Sequence, residues 1–290
     1  MYFKTFMHQF VLNHILMTTK VSEARVVPKH ALLHHAPMRW PGWWLRRREA
    51  FPAREVWQRV CAGLPALAHL DAGVQRRLVQ VARRFLQAKA VTGAGGQEIT
   101  DEVRSVIGAQ AALLILNLDL GYYDTFHEII VYPDTFLVEH EETDETGVVH
   151  RYRRPLSGEA WTQGPVILSW ADARPDVPRA PGQNVVIHEF AHKLDMADGA
   201  ANGRPPLHRG VDPEAWSREF TAAWNRLQHE WNQEEWGWLD LYALDSPAEF
   251  FSVASEYFFQ SPDVLRERLP GVYVQLRDFY RQDPAAGTTL

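Results

Sequence analysis

A single cysteine, Cys61, occurs in 290 residues. This excludes an intrachain disulfide and zinc sites built from several thiolates, including the deaminase type that needs a cysteine pair. Long hydrophobic runs are equally scarce. The longest, AALLILNLDL (Ala111–Leu120), is interrupted by Asn117 and Asp119, whereas a membrane span needs about 20 apolar residues. It reads as a buried helix end. Positive charge is not in excess either: 30 Lys and Arg against 36 Asp and Glu give a net charge of −6, which disfavours phosphate-driven binding to nucleic acid. The opening MYFKTFMHQFVLNHILMTTK holds neither the apolar core of roughly 7–15 residues nor the small-residue cleavage site of a secretory signal. The glycines of Gly93–Gly96 form a loop, not a phosphate cradle, because no P-loop lysine follows them. Internal repeats and low-complexity tracts are missing. These absences leave a globular protein of a reducing compartment, expected in the cytoplasm, with no membrane or direct nucleic-acid partner.

Hydrophobic residues make up 46% of the chain and tryptophan occurs 11 times, enough for a well-filled core or a partly aromatic binding surface. Residues 1–37 are expected to be an extension, disordered or ahead of the true start, with Met17 and Met38 as in-frame alternatives. Residues 38–125 read as a helical region behind a basic, aromatic lead-in, Met38–Pro52. Asp71 is placed to cap a helix carrying Val74, Leu78, Val81 and Phe85 on one face, and Thr100 or Asp101 to cap a second. Short strand-like runs follow, EIIVY, TFLVE, VVHRYR and PVILSW, with the acidic EETDETG as a hairpin loop. After the Pro-rich Ala173–Gln183 the pattern returns to helix, with Asp212-Pro213 and Ser246-Pro247 opening two of them. Helices, then an antiparallel or mixed sheet, then helices again make an α+β protein.

The segment VVIHEFAHKLD (Val185–Asp195) carries the chemistry. Asn184 is placed to cap it. On a helix, residues four apart share a face, so His188 and His192 can reach one ion, while Glu189 is rotated by about 100° toward an attacking water. A carboxylate there can take the proton of a water whose acidity a metal has raised. Composition alone predicts about 0.04 occurrences of His-Glu-x-x-His in this chain, so the motif is not an expected accident. Nor do two imidazoles and a carboxylate sit comfortably among Val186, Ile187, Phe190, Ala191 and Leu194 without partners, and a metal supplies them.

A third protein ligand must come from elsewhere. The metzincin pattern would put glycine and histidine where this chain has Asp195 and Asp198. Asp198 could ligate, but without the glycine the chain has difficulty turning back. Glu249, opening a helix far along the sequence, is the better candidate. It has a competing role, because Ser246-x-x-Glu249 is a capping box in which glutamate reaches back to the cap amide. Glu256, one heptad on, could support the site or be a surface charge. Tyr242 could donate to an oxyanion or simply pack. His127, beside Glu128 at a strand start, is structural.

Taken together, VVIHEFAHKLD, FHEIIVYP, GPVILSW, DLYALDSPAEFFSVASEYFF and the closing FYRQDP resemble the Mlc titration factor A family, in order from about Trp40 to Pro284. The resemblance implies a cytoplasmic zinc metallopeptidase of zincin-like (gluzincin) fold, whose catalytic region, here residues 126–290, is similar to that of anthrax lethal factor. It implies one zinc ion per chain on His188, His192 and Glu249, with Glu189 as general base and Tyr242 at the position of the family's active-site tyrosine. It also implies a peptide or protein substrate, and a link to sugar uptake through the transcription repressor Mlc as partner. Cleavage of short peptides, or aminopeptidase action from their N-terminus, fits such a site. PVILSW (Pro165–Trp170) is the expected edge strand for pairing with an extended peptide. A regulatory protein that sequesters a repressor, with zinc structural, is the alternative reading, and hydrolysis of a non-peptide amide a third.

Overall fold

The structure, a computed structural model, describes residues 26–27, 50–134, 136–143, 149–156, 158–160, 164–178, 180–233, 238–286 and 288–289. Its contacts divide the chain into two compact units, Met1–Arg39 with Asp134–Leu156, and Trp40–Pro133 with Ser157–Leu290. In the first, strand β1 (Val26–Val27) runs parallel to β4 (Phe136–Thr143), which pairs antiparallel with β5 (Val149–Leu156). This is the expected hairpin, with Phe136 opposite Leu156 and Thr143 opposite Val149. Residues 144–148 of its loop lie outside the described residues, as does the expected extension 1–37 apart from Val26–Val27.

The second unit is mostly helical around a small sheet, an α+β arrangement. Helix α1 (Arg54–Ala62) and α2 (Ala72–Ala88) lead into β2 (Ala90–Gly93), followed by α3 (Asp101–Leu114) and β3 (Glu128–Tyr132). Strands β6 (Gly158–Ala160) and β7 (Val166–Ser169) complete a sheet of order β2-β3-β7-β6, in which β2, β3 and β7 are parallel and β6 is antiparallel to β7. The short α4 (Trp170–Ala173) precedes α5 (Val185–Asp195), α6 (Pro213–Asn232), α7 (Pro247–Gln260), α8 (Pro262–Arg268) and α9 (Pro270–Tyr280). Helix starts fall where the sequence places them. Asp71 accepts from the amides of Gly73 and Val74, and Thr100, not Asp101, caps α3. Asp212 accepts from Glu214, with Pro213 in the first helical turn.

The position expected for the edge strand is corrected. β7 lies between β3 and β6, and Val166, Ile167, Leu168 and Ser169 are all buried. An uninterrupted apolar strand has no polar face to offer water, so it belongs inside the sheet. The edge beside it is β6, where Glu159 lies opposite Ile167.

Helix α5 packs against α3, α7, β6 and β7. Phe190 projects from it into an aromatic cluster, with ring centres 5.5 Å from Tyr123, 5.6 Å from Phe85 and 6.0 Å from Phe126. The loop after α5 is drawn onto three elements at Gly203. Its amide donates to Asp195 Oδ2 at 2.9 Å, and its carbonyl accepts from Trp216 Nε1 at 3.2 Å. With φ at 76° and room for a Cβ only 2.3 Å from the Pro247 carbonyl, no other residue fits without movement. This contact ties the end of α5 to the start of α7. Gly203→Ala should lower stability by about 2–4 kcal/mol, the combined cost of a left-handed alanine and a backbone clash. Chemical denaturation checks this, and a loss under ~0.5 kcal/mol, within the range of neutral surface changes, would contradict the packing described.

Candidate metal centre

Helix α5 begins at Asn184, whose Oδ1 accepts the Ile187 amide at 3.1 Å. Val186, Ile187, Phe190, Ala191 and Leu194 are fully buried. Each large apolar side chain so placed contributes roughly 1.5–3 kcal/mol, which holds the helix inside the fold with its polar residues. His188 and His192 emerge on one face, with ring centres 4.7 Å apart. Glu249, in the first turn of α7, meets them: its Oε2 is 3.0 Å from His188 Nε2 and 3.2 Å from His192 Nε2, and the two Nε2 atoms are 3.1 Å apart. Ser246 Oγ accepts the Glu249 amide at 3.2 Å, so half of the capping box is present while the glutamate carboxylate turns to the histidines.

Three donor atoms facing one another suit a metal ion. Two imidazole nitrogens 3.1 Å apart cannot both carry hydrogen, so the space between them takes one proton or one cation. Two nitrogens and an oxygen, all within 4.8 Å of one another, form the N/O donor set that zinc accepts, and tetrahedral ligands at zinc distances stand about 3.3 Å apart. The charges are already coupled. Burial disfavours the His188 imidazolium, but Glu249 and Glu256 outweigh it and raise the group well above its ordinary range. Burial lowers His192, with Glu249 opposing. The Glu249 carboxyl, which burial alone would raise, is held far below its usual range by the two imidazoles.

Not every other expected residue lies at this triad. Glu189 is 4% exposed beside the histidines. Tyr242 lies in a short 3-10 turn, Leu241–Leu244, its ring 5.9 Å from that of His188. Asp198 is exposed and accepts the Ala200 amide at 3.1 Å, outside the triad. His127 is exposed at the start of β3, its carbonyl accepting from Ala90. Glu256 is buried, with Oε1 2.7 Å from His188 Nδ1.

Sequence reasoning missed two supports of α5. Lys193, fully buried, donates from Nζ to the Gly164 carbonyl at 2.8 Å and lies 5.2 Å from the centre of the Phe126 ring. Burial pushes its ammonium down to about 8, with Glu189 opposing. A lysine four residues after Glu189, inside an apolar helix, was the available signal. Asp195, weighed only as the replacement for a glycine, is the buried acceptor that holds the Gly203 loop; burial pushes its carboxyl up to about 6 against the backbone amides it binds. Burial pushes the Cys61 thiol up to about 12, away from the thiolate form that acts as a nucleophile.

Among the described residues, no helix is long and apolar enough to cross a membrane. A family model described as glucose-regulated metallo-peptidase M90 matches residues 40–281. Mlc titration factor A of Klebsiella pneumoniae subsp. pneumoniae is 39% identical over 250 residues, covering 86% of this chain and 93% of its own length. That of Salmonella arizonae is 40% identical over 253 residues, covering 86% and 98%. Matched over most of its length, the chain belongs to the glucose-regulated metallo-peptidase M90 family and is a relative of Mlc titration factor A.

Proposed function

We propose that this protein is a zinc-dependent peptidase of zincin-like, gluzincin-type arrangement, holding one ion on His188, His192 and Glu249. The observation that carries the reading is the convergence of three donor atoms from two helices at 3.0–3.2 Å, largely withdrawn from solvent. Zinc, when bound, supplies Lewis acidity that brings the pKa of water toward neutrality and polarises a carbonyl. Glu189, on the same helix, takes the proton of the attacking water and passes it to the leaving amine. Tyr242, whose ring lies 5.9 Å from that of His188, would donate its hydroxyl to the oxyanion that develops on the scissile carbonyl. Among the described residues β6 is the last strand of its sheet, and its outer edge would offer an extended peptide backbone hydrogen bonds with modest sequence demands. An intact Glu189 favours catalysis over a structural ion, because a structural site needs ligands but no base.

A second reading rests on the relatives' name. Binding of the repressor Mlc, with consequences for sugar uptake, is compatible with the peptidase and would stand alone if turnover were absent. A peptide-library assay together with a repressor pull-down separates the two: cleavage establishes the enzyme, and tight repressor binding without cleavage of any peptide sinks it.

Glu189→Gln should retain one zinc per chain and lose roughly 10²–10⁴-fold in kcat, the usual contribution of a general base. Metal analysis beside the same peptide assay checks this, and a variant within threefold of wild type would remove Glu189 from the mechanism. Glu249→Ala should lose the zinc as well as the turnover. Unchanged zinc content by mass spectrometry under native conditions would return the third-ligand role to another residue.

A further inference from the structure

His188 is gripped on the side away from the triad. Its Nδ1 lies 2.7 Å from Glu256 Oε1, while its Nε2 faces Glu249 and His192. The other oxygen of Glu256 accepts the backbone amide of Asn184. Asn184 in turn caps α5 through Oδ1 and donates from Nδ2 to Gln110 Oε1 at 2.5 Å. Gln110 closes the line on its own helix, its Nε2 donating to the Val106 carbonyl at 3.1 Å. Glu256, Asn184 and Gln110 are 7%, 3% and 1% exposed. A buried line of hydrogen bonds thus runs from α3 to the cap of α5, across to α7, and back to His188.

A carboxylate in such a place loses its hydration, which a cap alone does not require. One oxygen would satisfy the Asn184 amide, and the second is aimed at the imidazole. His192 is the internal comparison: its Nδ1 is buried and meets no hydrogen-bond partner among the described residues. The two histidines of the motif are therefore held differently.

We propose that Glu256 is a positioning residue for His188. By accepting the Nδ1 hydrogen it selects the tautomer whose Nε2 lone pair is directed at a metal ion, orients the ring and makes that nitrogen more basic. Asn184 and Gln110 hold the carboxylate in place. This inference rests on the reading of His188, His192 and Glu249 as metal ligands.

The test is zinc affinity, measured on the full chain by chelator competition, for Glu256→Gln and Glu256→Ala, beside proton NMR of the ring Nδ1–H groups in the zinc-bound protein. Each variant should bind zinc about 10–100-fold more weakly than wild type, the usual cost of losing such a partner. In zinc-bound wild type the Nδ1 proton of His188, given to a carboxylate, should resonate further downfield than that of His192, and Glu256→Gln should remove the difference, a change that a merely structural role would not produce. Melting of the metal-free proteins monitors folding separately, and if Glu256→Ala does not fold, the near-isosteric Glu256→Gln carries the test. Affinity within twofold of wild type for Glu256→Gln, or a His188 Nδ1 proton that the substitution leaves unmoved, overturns the positioning role. Wild type that binds no zinc overturns the metal reading and this inference with it, whereas wild type that binds zinc beside an unaffected Glu256→Gln overturns the inference alone.

Discussion

Charge buried between two helices is the constraint around which the larger unit is arranged. Where α5 packs on α7, two imidazoles and the carboxylate of Glu256 are buried and that of Glu249 is partly buried beside them. Each such ion forfeits several kcal/mol of hydration, and only mutual hydrogen bonds or a cation can offset that. The structure supplies the first in full for His188, which has a carboxylate at each ring nitrogen. The rest of the unit keeps the two helices in register: the Phe190 cluster on one side of α5, and the Asp195–Gly203–Pro247 contact at its end.

The same arrangement explains why residues of similar type take different roles. Glu249 and Glu256 both stand on α7, one heptad apart, on the face turned to α5. Glu249 meets the Nε2 atoms of both histidines, whereas Glu256 meets only the far nitrogen of one. Asp198 and Asp195 are three residues apart just beyond the motif, yet one is exposed and the other is fully enclosed by the Gly203 loop. A metal would select among these carboxylates by reach, because all four have the chemistry to bind one.

Much of the local structure was legible in the residues. Asp71, Thr100, Asn184, Asp212 and Ser246 each cap the helix that follows, because a short polar side chain before an apolar helical pattern has few other uses. The hairpin of β4 and β5 was equally plain. The two-residue strand at 26–27 and the short β2 and β6 were not, since runs of two to four residues carry no periodicity that separates them from loop. The role of β7 was misread for a related reason: its apolar run marks burial, and burial identifies an inner strand, not an edge.

For the site, the sequence by itself determined the pair of histidines on one face, the glutamate turned from them and the apolar helix that carries all three, because helical geometry converts spacing into direction. Family resemblance singled out Glu249, but its competing role as a capping residue was equally available to the residues read alone. Only the tertiary structure shows where its carboxylate goes, with Oε2 3.2 Å from His192 Nε2 while Ser246 keeps the cap. It alone turned Glu256 inward, to a histidine 68 residues away. Contacts between helices so distant in the chain follow from packing of the whole core, and no local pattern encodes them.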